Sequence, residues 1–150
     1  MGTTLSNILL HIVFSTKDRR PLITPDLRER LYPYLGGIVK EHNAVSYGIG
    51  GTEDHVHLLI QWNTTDSVSK LLQGLKGSSS RWISETFPGM GGFGWQRGYA
   101  VFSVSQSQCA RVTRYIDNQE THHKKQSFQE ELRQLLDAHG ISYEERYLWG

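Results

Sequence analysis

The order in which two kinds of hydrophobic periodicity follow one another is the feature that most restricts how this chain can fold. Short apolar runs, and stretches that alternate apolar and polar residues, predict β-strands, whereas apolar residues repeated every three or four positions predict helices. The strands are predicted at residues 8–14, 45–51, 54–62 and 99–104. Helices are predicted to begin near residues 24, 66, 107 and 127.

The predicted order of strand, helix, strand, strand, helix, strand is that of the split βαβ arrangement of ferredoxin-like domains. We therefore predict an α+β fold of the ferredoxin-like, or RRM-like, type, in which an antiparallel sheet carries helices on one face. Two C-terminal helices are predicted to follow this sheet. Because 150 residues suit one domain and no internal repeat is visible, residues 1–150 are predicted to form a single domain.

Local signals indicate where two of the helices begin and end. Thr24 followed by Pro25 is typical of a helix start, and Pro33 predicts that this helix is kinked or split. Ser127 opens a capping box with the glutamate three residues later, and Gly140 predicts the end of the last helix.

Composition excludes several classes of protein. Apolar residues make up 37% of the chain and charged residues 21%, which is typical of a globular domain, and no apolar run approaches the ~20 residues of a membrane-spanning helix. The formal net charge is only +1, so a nucleic acid would be held by local basic patches. The single cysteine, Cys109, cannot form an intramolecular disulfide, which favours a cytoplasmic location.

The third predicted strand contains the most informative segment, in which two histidines flank one apolar residue. Alternate side chains of a strand share a face, so His55 and His57 are expected to point the same way, about 7 Å apart along the backbone. Val56 and its apolar neighbours then face the core. Two imidazoles at this separation can converge on one divalent cation, although a pair of surface histidines would give the same pattern.

The helix predicted from residue 107 to about residue 123 contains the second informative pair. Tyr115 and Gln119 are four residues apart and therefore lie on one face of that helix. Such a helix could bring a phenol and an amide oxygen over the strand that carries the histidines. The alternative is that Tyr115 is a half-buried packing residue, as most helical tyrosines are.

Phosphodiester cleavage would explain why these residue types occur together. A phenol with an ordinary pKa of ~10 is a poor nucleophile at neutral pH. A bound Mg²⁺ or Mn²⁺ polarises a phosphate and orients it for in-line attack, and histidines with an amide oxygen are a plausible ligand set for such an ion. A tyrosine–phosphate bond would also conserve the energy needed to rejoin the strand.

The pattern of His55-Val56-His57 with Tyr115 and Gln119 about sixty residues later resembles the HUH single-tyrosine transposases of small bacterial insertion sequences and their REP-associated relatives. U stands for a hydrophobic residue. The resemblance extends over nearly the whole chain, since it also covers the first strand through Arg20, residues 75–77 and residues 115–128.

The resemblance implies a homodimer that cuts single-stranded DNA near hairpins at the ends of a mobile element. It implies that a metal ion is held by His55, His57 and Gln119, and that Tyr115 is the nucleophile. The implied products are a 5′-phosphotyrosine and a free 3′-hydroxyl. In this family, the tyrosine helix of one subunit can complete the active site of the other.

Several basic and aromatic residues are candidates for contacts with DNA. The basic candidates for nucleic-acid binding are Arg20, Lys76, Arg81, Arg111 and Arg114. Lys76 and Arg81 belong to a predicted helix with small residues, where a nucleic-acid backbone could approach closely. Phe93 or Trp95, in a glycine-rich segment, could stack on an unpaired base, although anchoring of that loop is the simpler interpretation.

Three alternative functions are compatible with parts of this pattern. An RRM-like module that binds nucleic acid without cutting it would need exposed aromatic pairs on its central strands, where this chain has imidazoles. A two-histidine phosphoesterase would need two His-x-Ser/Thr motifs, and the sequence contains no such pair. A domesticated HUH endonuclease that cuts host repeats is not distinguished from a transposase by the sequence.

Overall fold

A four-stranded antiparallel sheet forms the centre of the protein, as seen in a computed structural model that describes residues 2–149. The strands are β1 (Ile8–Ser15), β2 (Val45–Gly51), β3 (His55–Trp62) and β4 (Ala100–Val104). Their order in the sheet is β2-β3-β1-β4, and every neighbouring pair is antiparallel. This arrangement confirms the predicted ferredoxin-like α+β fold.

Seven α-helices surround the sheet in the described part of the chain. They are α1 (Pro25–Glu41), α2 (Val68–Gln73), α3 (Ser79–Thr86), α4 (Cys109–Asp117), α5 (Gln119–His122), α6 (Phe128–Ala138) and α7 (Glu145–Leu148). A π-helical turn, Gly74–Ser78, joins α2 to α3. None of these helices has the length and apolar character needed to cross a membrane.

The caps predicted at Thr24 and Ser127 are present in the structure, whereas the start predicted at residue 107 is wrong: α4 begins at Cys109, with Gln108 as its N-cap residue. The Thr24 hydroxyl accepts a hydrogen bond from the backbone N–H of Leu27 at 3.2 Å, and Ser127 caps α6 by accepting from the N–H of Glu130, also at 3.2 Å. Gly140 follows α6 with a φ of 68°, a left-handed conformation that glycine adopts without strain.

The observed helices differ from the predicted ones in three places. Helix α1 runs through Pro33 without being split, because a buried apolar stripe holds it to the sheet on both sides of the proline. The second helix begins at Val68 rather than near Asp66, and the π-helical turn interrupts it. The predicted helix over residues 107–123 is divided between α4 and α5, because Asn118 has non-helical backbone angles.

The two faces of the sheet have different partners. Even-numbered residues of β1, such as Ile12, and of β3, such as Leu58, face the main core beneath α1, α2 and α3. Odd-numbered residues face the opposite side, where Leu9 and Leu59 pack against Ile116 of α4 and Val13 packs against α6. The sheet is therefore covered by helices on both faces, and the histidines of β3 lie on the side of α4, α5 and α6.

The two aromatic residues of the glycine-rich segment are structural anchors. Phe93 and Trp95 are 6% and 9% exposed and belong to the main core. The indole N–H of Trp95 donates a hydrogen bond to the Ser79 hydroxyl at 2.9 Å. Burial removes both rings from contact with an unpaired base, so the anchoring interpretation is confirmed.

Candidate active site

His55 and His57 lie side by side beneath the C-terminal helices. Both side chains are fully buried, and their ring centroids are 5.0 Å apart. Val56 points into the main core on the opposite face of the sheet. The expectation that the two imidazoles share one face of β3 is confirmed, whereas a pair of solvent-exposed histidines is excluded.

Each histidine also has a hydrogen-bond partner at its Nδ1 atom. His55 Nδ1 is 2.7 Å from the Asp54 carboxylate and 3.1 Å from the Thr52 hydroxyl. His57 Nδ1 is 2.7 Å from Nε2 of His11, which is itself buried in β1. These contacts fix both rings so that their Nε2 atoms point towards one common position.

Helix α4 brings Tyr115 next to the same two histidines. The ring centroid of Tyr115 is 5.8 Å from that of His57, within a single chain. The helix can lie this close because Gly50 of β2 has no side chain: a Cβ there would be 2.3 Å from the carbonyl oxygen of Ile116. The glycine of the strand therefore determines how near the phenol comes to the imidazoles.

Gln119 completes the group of side chains that the sequence singled out. It is 1% exposed, and its Oε1 is 2.9 Å from His55 Nε2. The structure thus brings together His55, His57, Tyr115 and Gln119, although α4 ends before Gln119 begins a separate short helix.

Glu131 of α6 lies at the centre of this group, and sequence reasoning did not find it. Its Oε1 is 3.0 Å from His57 Nε2, 3.0 Å from His123 Nε2 and 3.4 Å from His55 Nε2. Its other oxygen accepts hydrogen bonds from the Tyr115 hydroxyl and, at 2.9 Å, from the Gln119 amide. A carboxylate that is 1% exposed is stable here because each of these neighbours can donate a hydrogen bond to it.

The surroundings give the two histidines of β3 opposite pKa shifts. Burial lowers the pKa of His55, but hydrogen bonds to Asp54, Glu131 and Gln119 outweigh this and raise it to about 9. For His57, burial is only partly offset by Glu131, and its pKa is lowered to about 4. In the metal-free protein at neutral pH, His55 is therefore an imidazolium and His57 is neutral.

Tyr115 and Glu131 are also held in definite protonation states. Burial and the adjacent carboxylate both raise the pKa of Tyr115 far above its ordinary value. Burial raises the pKa of Glu131, but hydrogen bonds from His123, His55 and His57 outweigh it and hold that pKa well below its usual range. The phenol is therefore neutral and the carboxylate ionised in this arrangement.

The donor set of this cluster fits a divalent metal ion. One ligand atom from each of His55, His57, His123 and Glu131 lies within 4.8 Å of the others. His122 Nε2, 3.5 Å from Glu131, is a further buried nitrogen without a hydrogen-bond partner among residues 2–149. Imidazole nitrogens with a carboxylate oxygen are common ligands of such ions, so the cluster can bind a metal.

The basic candidates are distributed over both layers of helices. Arg111 and Arg114 are exposed on α4, and Arg111 lines an open cleft that also contains Tyr115. Arg81 is exposed on α3, on the opposite side of the sheet, and Arg20 is exposed shortly after β1.

Lys76 lies on the same side of the sheet as Arg81, where its ammonium donates to the carbonyl oxygens of residues 97 and 98 at 3.0 and 2.8 Å. These two bonds leave one donor hydrogen for another partner.

The sequence of this chain matches a known family over most of its length. Residues 4–119 fit the sequence profile of the family described as "Transposase IS200 like". The match includes the two histidines of β3, Tyr115 and Gln119. The chain belongs to this family.

Individual members of the family are similar to the chain over most of their own length. The transposase of the insertion element IS200 from Salmonella typhimurium is 30% identical over 124 residues, which are 79% of this chain and 81% of that protein. The ISDra2 transposase TnpA of Deinococcus radiodurans is 25% identical over 114 residues, or 73% of this chain and 81% of the relative.

Solved structures of transposases have the same fold as this chain. A transposase from Deinococcus radiodurans superposes with a TM-score of 0.64 at 26% identity, over 79% of this chain and 96% of that one. A REP-associated tyrosine transposase bound to a REP hairpin superposes with a TM-score of 0.62 at 10% identity, over 82% of this chain and 72% of that one.

Family membership confirms the predicted type of enzyme, a DNA-cleaving transposase of the HUH tyrosine type. Family membership therefore favours a DNA-cleaving enzyme over an RRM-like module that binds nucleic acid without cutting it. The roles of the individual residues stay predictions. The geometry of the cluster identifies the residues on which these predictions can be tested.

Proposed function

We propose that this transposase cleaves and rejoins single-stranded DNA at the hairpin-bearing ends of a mobile element, with Tyr115 as the nucleophile. In this proposal a divalent ion, Mg²⁺ or Mn²⁺, is held by His55, His57 and Gln119, and His123 can add a further nitrogen donor. The observation that carries it is that the Tyr115 ring lies 5.8 Å from the His57 ring while Gln119 contacts His55 at 2.9 Å.

Two comparisons support the ends of a mobile element and DNA hairpins as the substrate. The IS200 transposase of Salmonella typhimurium is a relative at 30% identity that serves an insertion sequence. The REP-associated tyrosine transposase, which shares this fold, was solved bound to a REP hairpin. The exposed Arg111 and Arg114 beside Tyr115 would supply positive charge for the phosphate backbone.

The proposed reaction transfers one phosphodiester bond from DNA to protein. The Tyr115 hydroxyl loses its proton to solvent as its oxygen attacks phosphorus, and the bond from phosphorus to the 3′-oxygen breaks. The 3′-oxygen takes up a proton from solvent to become a free 3′-hydroxyl. The DNA keeps its 5′-phosphate as a tyrosine ester, which a 3′-hydroxyl can attack in the reverse direction. A bound metal ion would polarise the scissile phosphate and stabilise the charge that develops on its oxygens.

Glu131 has to leave its present position before this reaction can take place. It fills the space between the phenol and both histidines of β3, and its side chain is almost completely buried. Its negative charge also keeps the phenol protonated. We infer that a bound phosphate displaces the Glu131 carboxylate from between the phenol and the histidines.

The organisation of the protein in solution is part of the same proposal. We propose that residues 1–150 act as one transposase domain and that two copies form a homodimer. Tyr115 and His57 meet within one chain, which supports a dimer in which each subunit carries its own set of reactive groups.

A covalent-adduct assay tests this function. Purified protein with Mn²⁺ is incubated with end-labelled hairpin DNA that has a single-stranded extension, and a denaturing gel then detects labelled protein. Tyr115→Phe is expected to abolish the adduct, whereas Tyr147→Phe, which alters a side chain that is 71% exposed, is expected to preserve it. Adduct formation by Tyr115→Phe, or cleavage that releases a free 5′-phosphate, would refute the proposal.

Hairpins from the ends of an insertion element and from chromosomal repeats can be compared in the same assay. Preference for element ends would support a mobile-element transposase. Preference for the repeats would instead identify a domesticated enzyme.

A further inference from the structure

His11 is a buried histidine that the proposed reaction does not use. It lies in the apolar strand β1 and is 4% exposed. In the register of the sheet Val13 is paired with His57, so His11 is on the same face two residues away, and its Nε2 is 2.7 Å from His57 Nδ1. Burying an imidazole in an apolar strand is unfavourable unless the ring is hydrogen-bonded, and this is the hydrogen bond it makes.

The direction of that hydrogen bond follows from the partner on the other side of His57. His57 Nε2 is 3.0 Å from Glu131, whose ionised carboxylate can only accept, so Nε2 carries the proton and donates it. A neutral His57 then has only a lone pair on Nδ1. In the metal-free protein, His11 Nε2–H is therefore the donor to His57 Nδ1.

A metal ligand needs the opposite arrangement. An imidazole that binds a metal through Nε2 has its lone pair there and its proton on Nδ1, and that proton is normally given to a neighbouring acceptor. The acceptor available to His57 is His11. For His55 the equivalent acceptor is the Asp54 carboxylate, at 2.7 Å.

We propose that His11 is the positioning residue of metal ligand His57, and that the hydrogen bond between the two imidazoles reverses when a metal binds. This inference rests on the proposed function, in which His57 holds the ion. An imidazole can change from donor to acceptor without moving, because either of its nitrogens can carry the proton.

The reversal conserves the protons of the pair. The Nε2 proton of His57 passes to solvent, and the proton on His11 Nε2 crosses the hydrogen bond to His57 Nδ1. His11 Nδ1 then takes up one proton from solvent, so both rings stay neutral. Water can reach His11 because the ring lines the cleft of about 490 Å³ that also contains Arg111, Tyr115 and His139.

Two substitutions separate the acceptor role of His11 from its packing. His11→Phe fills similar space without an acceptor, whereas the amide oxygen of His11→Gln can accept from His57 Nδ1–H. Titration calorimetry with Mn²⁺ in the absence of DNA is expected to show about 10- to 100-fold weaker binding for His11→Phe. His11→Gln is expected to bind nearly as tightly as the wild type, and so is His139→Phe, a control in the same cleft.

Nitrogen-15 NMR of the histidine rings measures the reversal directly, with Zn²⁺ as a diamagnetic probe. His57 is expected to be protonated on Nε2 in the metal-free protein and on Nδ1 in the Zn²⁺-bound protein. Binding of Zn²⁺ through Nδ1, or an unchanged proton position, would overturn the inference. This measurement uses the wild-type protein, so it tests the reversal of the hydrogen bond even if His11→Phe does not fold.

Failure of this inference can be distinguished from failure of the proposed function. Unchanged Mn²⁺ affinity in folded His11→Phe, together with weak binding in His57→Ala, would reject only the role of His11. Undiminished Mn²⁺ binding in His57→Ala would instead reject the metal site itself.

Discussion

Tyr115 donates a hydrogen bond to the carboxylate of Glu131, and this contact connects α4 to α6 directly above the two histidines of β3. The carboxylate is held on its other side by His57 and His123, each at 3.0 Å. The most reactive group proposed for the enzyme is thus bonded to a residue that lies outside the part of the chain matched by the family profile, which ends at residue 119.

Glu131→Gln is expected to increase the rate of adduct formation at saturating Mn²⁺. The substitution removes the negative charge that, after burial, contributes most to the raised pKa of Tyr115. It also weakens the hold of three histidines on α6, which opens a path for the phosphate. The rate is measured from the denaturing-gel assay, with Glu130→Gln on the exposed side of α6 as the control. A slower reaction would show that Glu131 is required as a metal ligand or proton acceptor.

Gly50→Ala is expected to destabilise the protein by about 1–3 kcal/mol, the usual cost of overpacking. Its Cβ would lie 2.3 Å from the Ile116 carbonyl oxygen, so α4 has to move away from the sheet. Because α4 carries Tyr115, adduct formation is also expected to slow. Urea unfolding measures the first effect, and Gly37→Ala, where nothing lies within 4 Å of the new Cβ, provides the matched control. Equal stabilities of the two variants would contradict the close approach.

The stability of the metal-free protein is expected to fall between pH 6.5 and 9. His55 has a pKa of about 9 when folded, against 6.5 for an unperturbed histidine, so the folded state binds its proton more tightly. This stabilisation is complete below pH 6.5 and is lost as the pH rises through 9. The lowered pKa of His57, about 4, affects stability only below pH 6.5.

Urea unfolding in the presence of EDTA at several pH values measures this dependence. His55→Gln is expected to flatten the curve between pH 6.5 and 9, because it removes the group whose pKa is raised. A wild-type stability that rises over this interval would be inconsistent with the hydrogen bonds assigned to His55.

Arg111→Gln and Arg114→Gln are each expected to weaken binding of single-stranded DNA. On single-stranded DNA, each exposed guanidinium that contacts a phosphate contributes about 0.7 to the magnitude of the slope of log affinity against log salt concentration. The loss of one such contact should reduce that slope, as measured by fluorescence anisotropy over a series of salt concentrations. Arg146→Gln, which removes a guanidinium paired with Glu144 on the tail, serves as the control. An unchanged slope in both α4 variants would place the DNA elsewhere.

Much of the fold could be predicted because its signals are local. The alternation of His55, Val56 and His57 identifies a strand and the face that each side chain occupies, and the residues that cap α1 and α6 mark where those helices begin. The break at Asn118 was missed because asparagine in the middle of a helical pattern changes the conformation only in some contexts.

The rest of the site could not be predicted because it depends on contacts between distant segments. Glu131 occurs in the first turn of a helix, where acidic residues are expected for reasons of helix polarity alone. His11 is a single polar residue in an apolar strand, and only the pairing of β1 with β3 brings it to His57. The one available signal was that a histidine within such a run needs a buried partner.

The meeting of Tyr115 with His57 inside one polypeptide has a consequence for how the enzyme depends on its abundance. A centre assembled from two molecules loses activity per molecule on dilution, since its parts separate. Here every proposed reactive group is covalently linked to the others. If the reaction takes place within one chain, as we propose, dilution would not separate these groups, and the yield of adduct per molecule should not depend on protein concentration.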